Sequence, residues 1–211
     1  ILTNKLLFFV LLALCFSGCD MLETHPYDVH ITGERELNNK NIQLIENKMQ
    51  GKKTIRFAMI SDTQRWYNST EDVVKALNAR GDIDFVIHGG DQSDFGVTKE
   101  FIWMRDIFNK FQMPYVCLLG NHDCLGTGED AYRAIYGDPN FAFTAGNVRF
   151  ICLNTNAMEY DYSEPVPDFN FIENELNNLS PEIEKTVFAM HVKPFEFVFN
   201  NNVEIGRASC R

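Results

Sequence analysis

Gly90-Asp91-Gln92-Ser93-Asp94 and Gly120-Asn121-His122-Asp123 are the two stretches that decide the fold of this chain. Each follows an apolar run of strand length, and so does a third polar segment, Ser61-Asp62-Thr63-Gln64. The three segments are about thirty residues apart, roughly the length of one strand–helix–strand unit. Because ligands bind at the carboxyl ends of the strands in an open α/β sheet, we expect these polar side chains to share one site.

Strand and helix patterns alternate around these motifs. The predicted strands are 55–60, 85–88, 115–119, 140–144, 148–153 and 186–190, and the predicted helices are 71–80, 98–111, 131–136 and 169–179. Ala145-Gly146-Asn147 is typical of a hairpin turn between two of the strands. Strand–helix alternation followed by a hairpin predicts an α/β fold with a mixed sheet.

Length and charge limit the class of protein. With 211 residues, of which 45% are hydrophobic, the chain can build one domain with a sizeable core. Its formal net charge is -10, whereas non-specific nucleic-acid binding needs a basic face. We therefore expect no nucleic-acid-binding surface.

The N-terminal segment has the features of an export signal. Lys5 precedes an apolar run that is too short to cross a membrane, and Phe16-Ser17-Gly18-Cys19 resembles a bacterial lipobox. We expect residues 1–19 to be a lipoprotein signal peptide, with cleavage before Cys19 and lipid attached to its thiol. The protein would then be an exported, membrane-anchored lipoprotein on the periplasmic or cell-surface side.

The remaining segments give the expected domain organisation. Residues 20–53 are interpreted as a tether and N-terminal appendage, with an edge strand at 27–32 and a helix at 38–50. Residues 54–203 form the main domain. The final octapeptide, 204–211, resembles a sequencing adapter translated in one frame, so we expect it to be read-through and the domain to be truncated.

The residue types at the strand ends indicate a metal site. Asp62 and Asp91 offer anionic oxygens, Gln64 and Asn121 offer amide oxygens, and His191 after the last predicted strand offers an imidazole. A mixed oxygen and nitrogen set suits Mn²⁺, Fe or Zn²⁺ better than a thiolate-preferring ion. Carboxylates crowded at one edge would repel one another, and a bound cation relieves that repulsion.

Taken together, the motifs resemble those of the calcineurin-like metallophosphoesterase family, whose pattern is D-x-H, G-D-x-x-D, G-N-H-D/E, a lone His and G-H-x-H. The resemblance implies a calcineurin-like four-layer αββα sandwich of mixed sheets, here incomplete at the C-terminus. It also implies two divalent or trivalent metal ions (Mn, Fe or Zn), a bridging hydroxide and a phosphoester substrate.

The resemblance also assigns roles to single residues. Asp62 would hold the first metal, Asp91 would bridge both, and Asn121 and His191 would hold the second. His122 would act on the substrate phosphate, and Asp94 would orient His122. From their place after the first motif, Arg65 and Trp66 are expected to bind substrate.

Two departures from the family pattern leave alternatives open. Gln64 stands where the family has His, so it either ligates weakly or does not ligate. No Gly-His-x-His follows His191, which agrees with truncation and predicts that this chain is inactive or weakly active. A non-catalytic exported lipoprotein that keeps the fold as a binding module is the alternative function. A nucleophile-type hydrolase is disfavoured because the sequence has no Gly-x-Ser-x-Gly elbow.

Overall fold

The computed structural model describes residues 25–156 and 167–192. Its helices are α1 (Leu37–Met49), α2 (Tyr67–Arg80), α3 (Thr98–Phe108), α4 (Gly128–Tyr136) and α5 (Phe169–Asn177), with a 3-10 turn at His122–Cys124. Its strands are β1 (Phe57–Ile60), β2 (Phe85–His88), β3 (Tyr115–Cys117), β4 (Phe141–Ala145), β5 (Val148–Leu153) and β6 (Lys185–Met190). Cys19, the signal peptide and residues 204–211 lie outside the described residues, so the predictions made for them stay predictions.

The strands form two three-stranded sheets. The first has the order β1-β2-β3 and is parallel throughout, whereas in the second β4 and β5 are antiparallel and β5 and β6 are parallel. In the first sheet Ile60 lies opposite His88, and His88 lies opposite Cys117. Since the strands run in register, the polar segments that follow them emerge at one edge.

The two sheets pack face to face over an aromatic core. Phe143 and Phe150 of the second sheet stack with ring centroids 4.9 Å apart, and Phe85 of the first sheet meets both edge-on. All three side chains are almost completely buried. Truncating a buried Phe to Ala typically costs about 3–5 kcal/mol, so these contacts hold the two sheets together.

Helices cover the outer faces of both sheets. Val74 of α2, Phe101 of α3 and Ile135 of α4 share a buried cluster with Val86 of the first sheet. On the second sheet, Ile172 of α5 packs in a separate buried cluster with three strand residues, Ile151, Leu153 and Phe188. The result is four layers, helix–sheet–sheet–helix, which confirms the predicted αββα sandwich.

Helix α1 closes one end of this core. Ile45 and Met49 are fully buried against both sheets. The amide of Asn38 donates from Nδ2 to the Cys117 carbonyl at 2.9 Å and accepts the Cys117 N–H on Oδ1 at 2.9 Å. Asn38 therefore pairs with the open edge of β3 as a neighbouring strand would. The Tyr132 hydroxyl also donates to the Cys117 carbonyl, so the Cys117 N–H is the group that depends on Asn38 alone.

The structure lacks one strand that the sequence predicts, and it places several element boundaries differently. The edge strand predicted at 27–32 is wrong, because that segment is held instead by hydroxyl groups: Thr98 donates to the Asp28 carbonyl and Thr127 to that of Tyr27. Helix α2 begins at Tyr67, four residues before the predicted start, and α3 ends at Phe108 rather than at 111. In the described ranges, no helix combines the length and apolar character needed to span a membrane.

Candidate metal centre

The loops after β1 and β2 have unusual backbone geometry. Asp62 and Asp91 both adopt positive φ, 56° and 62°, and Arg65 does so at 63°. Positive φ is uncommon outside glycine, and such residues cluster at functional sites. The two loops are tied together, since Asp62 N–H donates to the Gly90 carbonyl at 3.0 Å and Gln64 N–H to the Asp91 carbonyl at 3.2 Å.

Two glycines allow these loops to approach closely. A Cβ built on Gly90 would lie 2.7 Å from His191 Nδ1 and 2.8 Å from the Gly120 Cα. A Cβ on Gly120 would overlap the backbone nitrogen and the Oδ1 of Asp91. The glycine that begins each motif is therefore needed for packing, because no side chain fits between the ends of β2, β3 and β6.

Asp62, Asp91 and His191 come together at this edge. One possible ligand atom from each residue lies within 4.8 Å of the others. Asp91 is buried, and Asp62 and His191 are half-buried. The turn that carries His191 is held in place by Thr155, which lies just after β5. The Thr155 hydroxyl accepts the Val192 N–H at 3.0 Å and donates to the Val192 carbonyl at 3.0 Å.

The hydrogen bonds of His191 prepare its Nε2 for a cation. Nδ1 donates to the Gly89 carbonyl at 2.8 Å, the arrangement typical of a metal-ligating His. Nε2 faces Asn121 Oδ1 at 2.8 Å and Asp91 Oδ2 at 3.4 Å, both of which are acceptors. Burial alone would lower the pKa of His191, but Asp91 and the Gly89 carbonyl raise it to about 9. The surroundings therefore favour a positive charge at this point.

The donor set fits the metal that the motifs imply. When its Nε2 carries no proton, His191 joins the Asp91 and Asn121 oxygens as a third electron-pair donor, and a cation can bind there in place of that proton. Gln64 Oε1 is also buried, and the described part of the chain offers it no hydrogen-bond donor. A buried carbonyl oxygen without a donor is costly, and ligation of a cation would remove that cost.

His122 is attached to the same edge. Its backbone N–H donates to Asp91 Oδ1 at 3.0 Å, and its ring Nδ1 donates to the backbone carbonyl of Asp94 at 2.9 Å. The Asp94 carboxylate is further away, with Oδ1 3.6 Å from Nδ1. Asp94 therefore contacts His122 mainly through its backbone, and the atom that fixes the ring tautomer is a main-chain oxygen.

Asp123 is the residue whose role the sequence interpretation missed. Its fully buried carboxylate accepts the backbone N–H groups of Asp91, Gln92, Ser93 and Gly120 and the Ser93 hydroxyl, all at 2.8–3.0 Å. Burial raises the pKa of Asp123 to about 6, although the Ser93 and Gly120 donors lower it. Its position in the Gly-Asn-His-Asp motif was the available signal, because it is the acidic residue that ends the motif.

Arg65 and Trp66 have different surroundings. Arg65 Nε pairs with Asp94 Oδ2 at 3.0 Å, whereas Trp66 lines a cleft that begins at Asp62. His88 is buried; its Nε2 donates to the Thr63 hydroxyl at 2.9 Å and its Nδ1 accepts the Gly90 N–H at 3.2 Å. His88 thus supports the two loops rather than facing the site.

Comparisons with known proteins agree with this geometry. The sequence model for calcineurin-like phosphoesterases matches residues 55–206. A 3',5'-cyclic-nucleotide phosphodiesterase of Nostoc sp. is 27% identical over 124 residues, which are 58% of this chain and 46% of that protein. The chain thus spans about half the length of that relative. A purple acid phosphatase from yellow lupin (Lupinus luteus) seeds has a similar fold at 17% identity, with a TM-score of 0.50 over 66% of this chain and 30% of the lupin chain.

Proposed function

Because the chain belongs to the calcineurin-like phosphoesterase family, we propose that it hydrolyses a phosphoester with a dinuclear metal centre and a bridging hydroxide. The observation that supports this most strongly is the convergence of Asp62, Asp91 and His191, since one possible ligand atom of each lies within 4.8 Å of the others. The substrate class is limited to phosphoesters by the family, and the relatives span both diesterase and phosphatase names.

In this proposal Asp62 and Gln64 would hold one cation, and Asn121 and His191 would hold a second. Asp91 would be a ligand of both. The oxygen and imidazole donors suit Mn, Fe or Zn. When bound, such a pair supplies a hydroxide from water near neutral pH and positive charge for the phosphate oxygens. Asp123 acts behind these residues by fixing the backbone of the Asp91 loop through hydrogen bonds from Asp91, Gln92 and Ser93.

His122 is proposed to act directly on the substrate. Since Nδ1 is engaged by the Asp94 carbonyl, Nε2 is the ring atom left for a phosphate oxygen or the leaving oxygen. A proton held at Nε2 would pass to the leaving alcohol as the ester bond breaks, a contribution typically worth about 10²–10⁴-fold in rate. Asp94 positions the ring. The positive charge of Arg65, whose Nε lies 3.0 Å from Asp94 Oδ2, balances the negative charge of the buried Asp94 carboxylate.

We also propose that the protein is exported and anchored to a membrane by lipid on Cys19. The support is the sequence pattern of residues 1–19. Metabolic labelling with a radioactive fatty acid tests it: the parent should carry label, and a Cys19→Ala variant should not. Equal labelling of both proteins would contradict the proposal.

The experiment that tests the catalytic proposal compares metal binding with turnover in the full-length protein. His122→Ala should keep the parental amount of bound Mn²⁺ but lose about 10²-fold or more of its rate on 4-nitrophenyl phosphoesters. Asp91→Asn should lose both metal and rate, because Asp91 is proposed to bridge the cations. Asp72→Asn, on the exposed face of α2, is the matched control and should resemble the parent.

Two results would count against the proposal. If His122→Ala and Asp91→Asn both hydrolyse mono- and diesters at the parental rate, the residue roles are wrong. If the parent binds Mn²⁺ but hydrolyses neither class of ester, the alternative of a metal-containing binding module is favoured.

A further inference from the structure

A cleft opens directly beside the candidate metal centre. Its lining includes Asp62 at the metal centre and Trp66 and Val73 from the start and the first half of α2, together with Ile60 and Ser69. Among the lining residues that the structure describes, there is one carboxylate and no basic side chain. A phosphate would find no positive charge on these residues, whereas a neutral group attached to the phosphate could enter.

Part of the cleft wall is apolar and exposed. Trp66 is 66% exposed and Val73 is 39% exposed, so two large apolar side chains face the same open space. Single exposed apolar residues are ordinary, but a contiguous pair beside a polar site is a feature of binding surfaces. In the part of the chain that the structure describes, no other aromatic ring contacts Trp66. By contrast, Trp103 packs edge-on against Tyr67 at 5.8 Å.

The backbone of Trp66 is firmly held. Its N–H donates to the Thr63 carbonyl at 3.1 Å, and its carbonyl accepts from both the N–H and the hydroxyl of Thr70 at 2.8 Å. Thr63 is itself bonded to the buried His88. The backbone of Trp66 is therefore tied to the segment after β1 on one side and to the first turn of α2 on the other, so little backbone ordering is needed when a ligand binds.

We propose that this cleft is the leaving-group subsite and that Trp66 stacks on a neutral aromatic or heteroaromatic ring of the substrate alcohol. The inference rests on the proposed phosphoester hydrolysis and makes it more specific. Arg65, the preceding residue, does not line the cleft and pairs with Asp94 near His122. The substrate phosphate would thus lie on the His122 side of Asp62, and the ring would lie on the Trp66 side.

The test compares benzyl with ethyl phosphoesters, each as the monoester and the methyl diester. Trp66→Ala should raise KM for the benzyl ester about three- to tenfold, as a ring–ring contact allows, and change KM for the ethyl ester less than about twofold. Trp66→Phe should restore most of the benzyl affinity. Trp103→Ala removes another exposed Trp that lies outside the cleft lining, and it should leave both substrates unaffected.

A binding measurement separates this inference from the catalytic proposal. Calorimetry with benzylphosphonate and ethylphosphonate on the metal-loaded full-length protein needs no turnover. The parent should bind the benzyl compound more tightly, and Trp66→Ala should lose that preference while retaining cooperative unfolding. The subsite is wrong if the parent shows no benzyl preference or if Trp66→Ala keeps it. If the parent prefers the benzyl compound but hydrolyses none of the esters, that result would instead count against the proposed reaction.

Discussion

Replacing Asp123 with Asn should disconnect the two loops that carry Asp91 and Asn121. The substitution keeps the shape of the side chain but turns one of its oxygens into an NH₂ group. Oδ2 accepts the N–H groups of Asp91 and Gly120, and Oδ1 accepts those of Gln92 and Ser93 together with the Ser93 hydroxyl. Whichever way the amide turns, its NH₂ faces at least two buried donors.

The size of the effect follows from these contacts. Each buried N–H left without an acceptor costs about 1–3 kcal/mol, so two of them cost about 2–6 kcal/mol. The neutral amide avoids burying a charge, which offsets part of this loss. We therefore expect a net loss of about 2–4 kcal/mol in the free energy of unfolding, together with about 10–100-fold weaker Mn²⁺ binding because the Asp91 loop is no longer fixed.

Urea unfolding and calorimetric Mn²⁺ titration measure the two quantities. Asp72→Asn is the matched control, because its side chain is 77% exposed and pairs only with Lys75 on the surface of α2. It should change the unfolding free energy by less than about 0.5 kcal/mol. The reasoning is refuted if Asp123→Asn matches this control in both measurements.

Three further outcomes are expected. Asn38→Ala should cost about 1–3 kcal/mol in urea unfolding because the buried Cys117 N–H loses its acceptor, although the Cys117 carbonyl keeps the Tyr132 hydroxyl, whereas Asn39→Ala should cost little; equal losses would contradict the edge role of Asn38. Gly120→Ala should weaken Mn²⁺ binding in calorimetry, since its Cβ would overlap Asp91, and parental affinity would contradict the packing account. Mn²⁺ at about 100 times its dissociation constant should raise the unfolding free energy of the parent by about 2.7 kcal/mol. The same Mn²⁺ concentration should raise the unfolding free energy of Asp91→Asn much less, and an equal increase in both proteins would contradict the ligand assignment.

The parallel sheet and its polar edge could be predicted because the signal is local. Apolar runs of strand length end directly in Asp62, Asp91 and Asn121, and the pattern repeats along the chain. Parallel strands in register then bring these ends together without any further information. The hairpin between β4 and β5 was predictable for a similar reason, since Gly146 supplies the positive φ that the turn needs.

The other features of the fold and the site depend on contacts that leave no local pattern in the sequence. The donors that reach Asp123 are mostly backbone N–H groups, which every residue has, so its role could not be recognised from residue types. The segment 27–32 alternates like a strand, but Thr98 and Thr127 bind its carbonyls and no strand partner is formed. Arg65 and Trp66 are adjacent in the chain, and only the structure separates the ion pair of one from the cleft of the other.

The central claim is that Asp62, Asp91 and His191 belong to a site that holds the two catalytic cations, with Asp91 shared between them. Anomalous diffraction from crystals of the full-length protein grown with Mn²⁺ tests it most directly. In the parent we expect strong anomalous density next to Asp91 on both its Asp62 side and its His191 side, and in Asp91→Asn we expect none there. The claim would be contradicted if Mn²⁺ bound only at other positions and phosphoester hydrolysis continued undiminished in excess chelator.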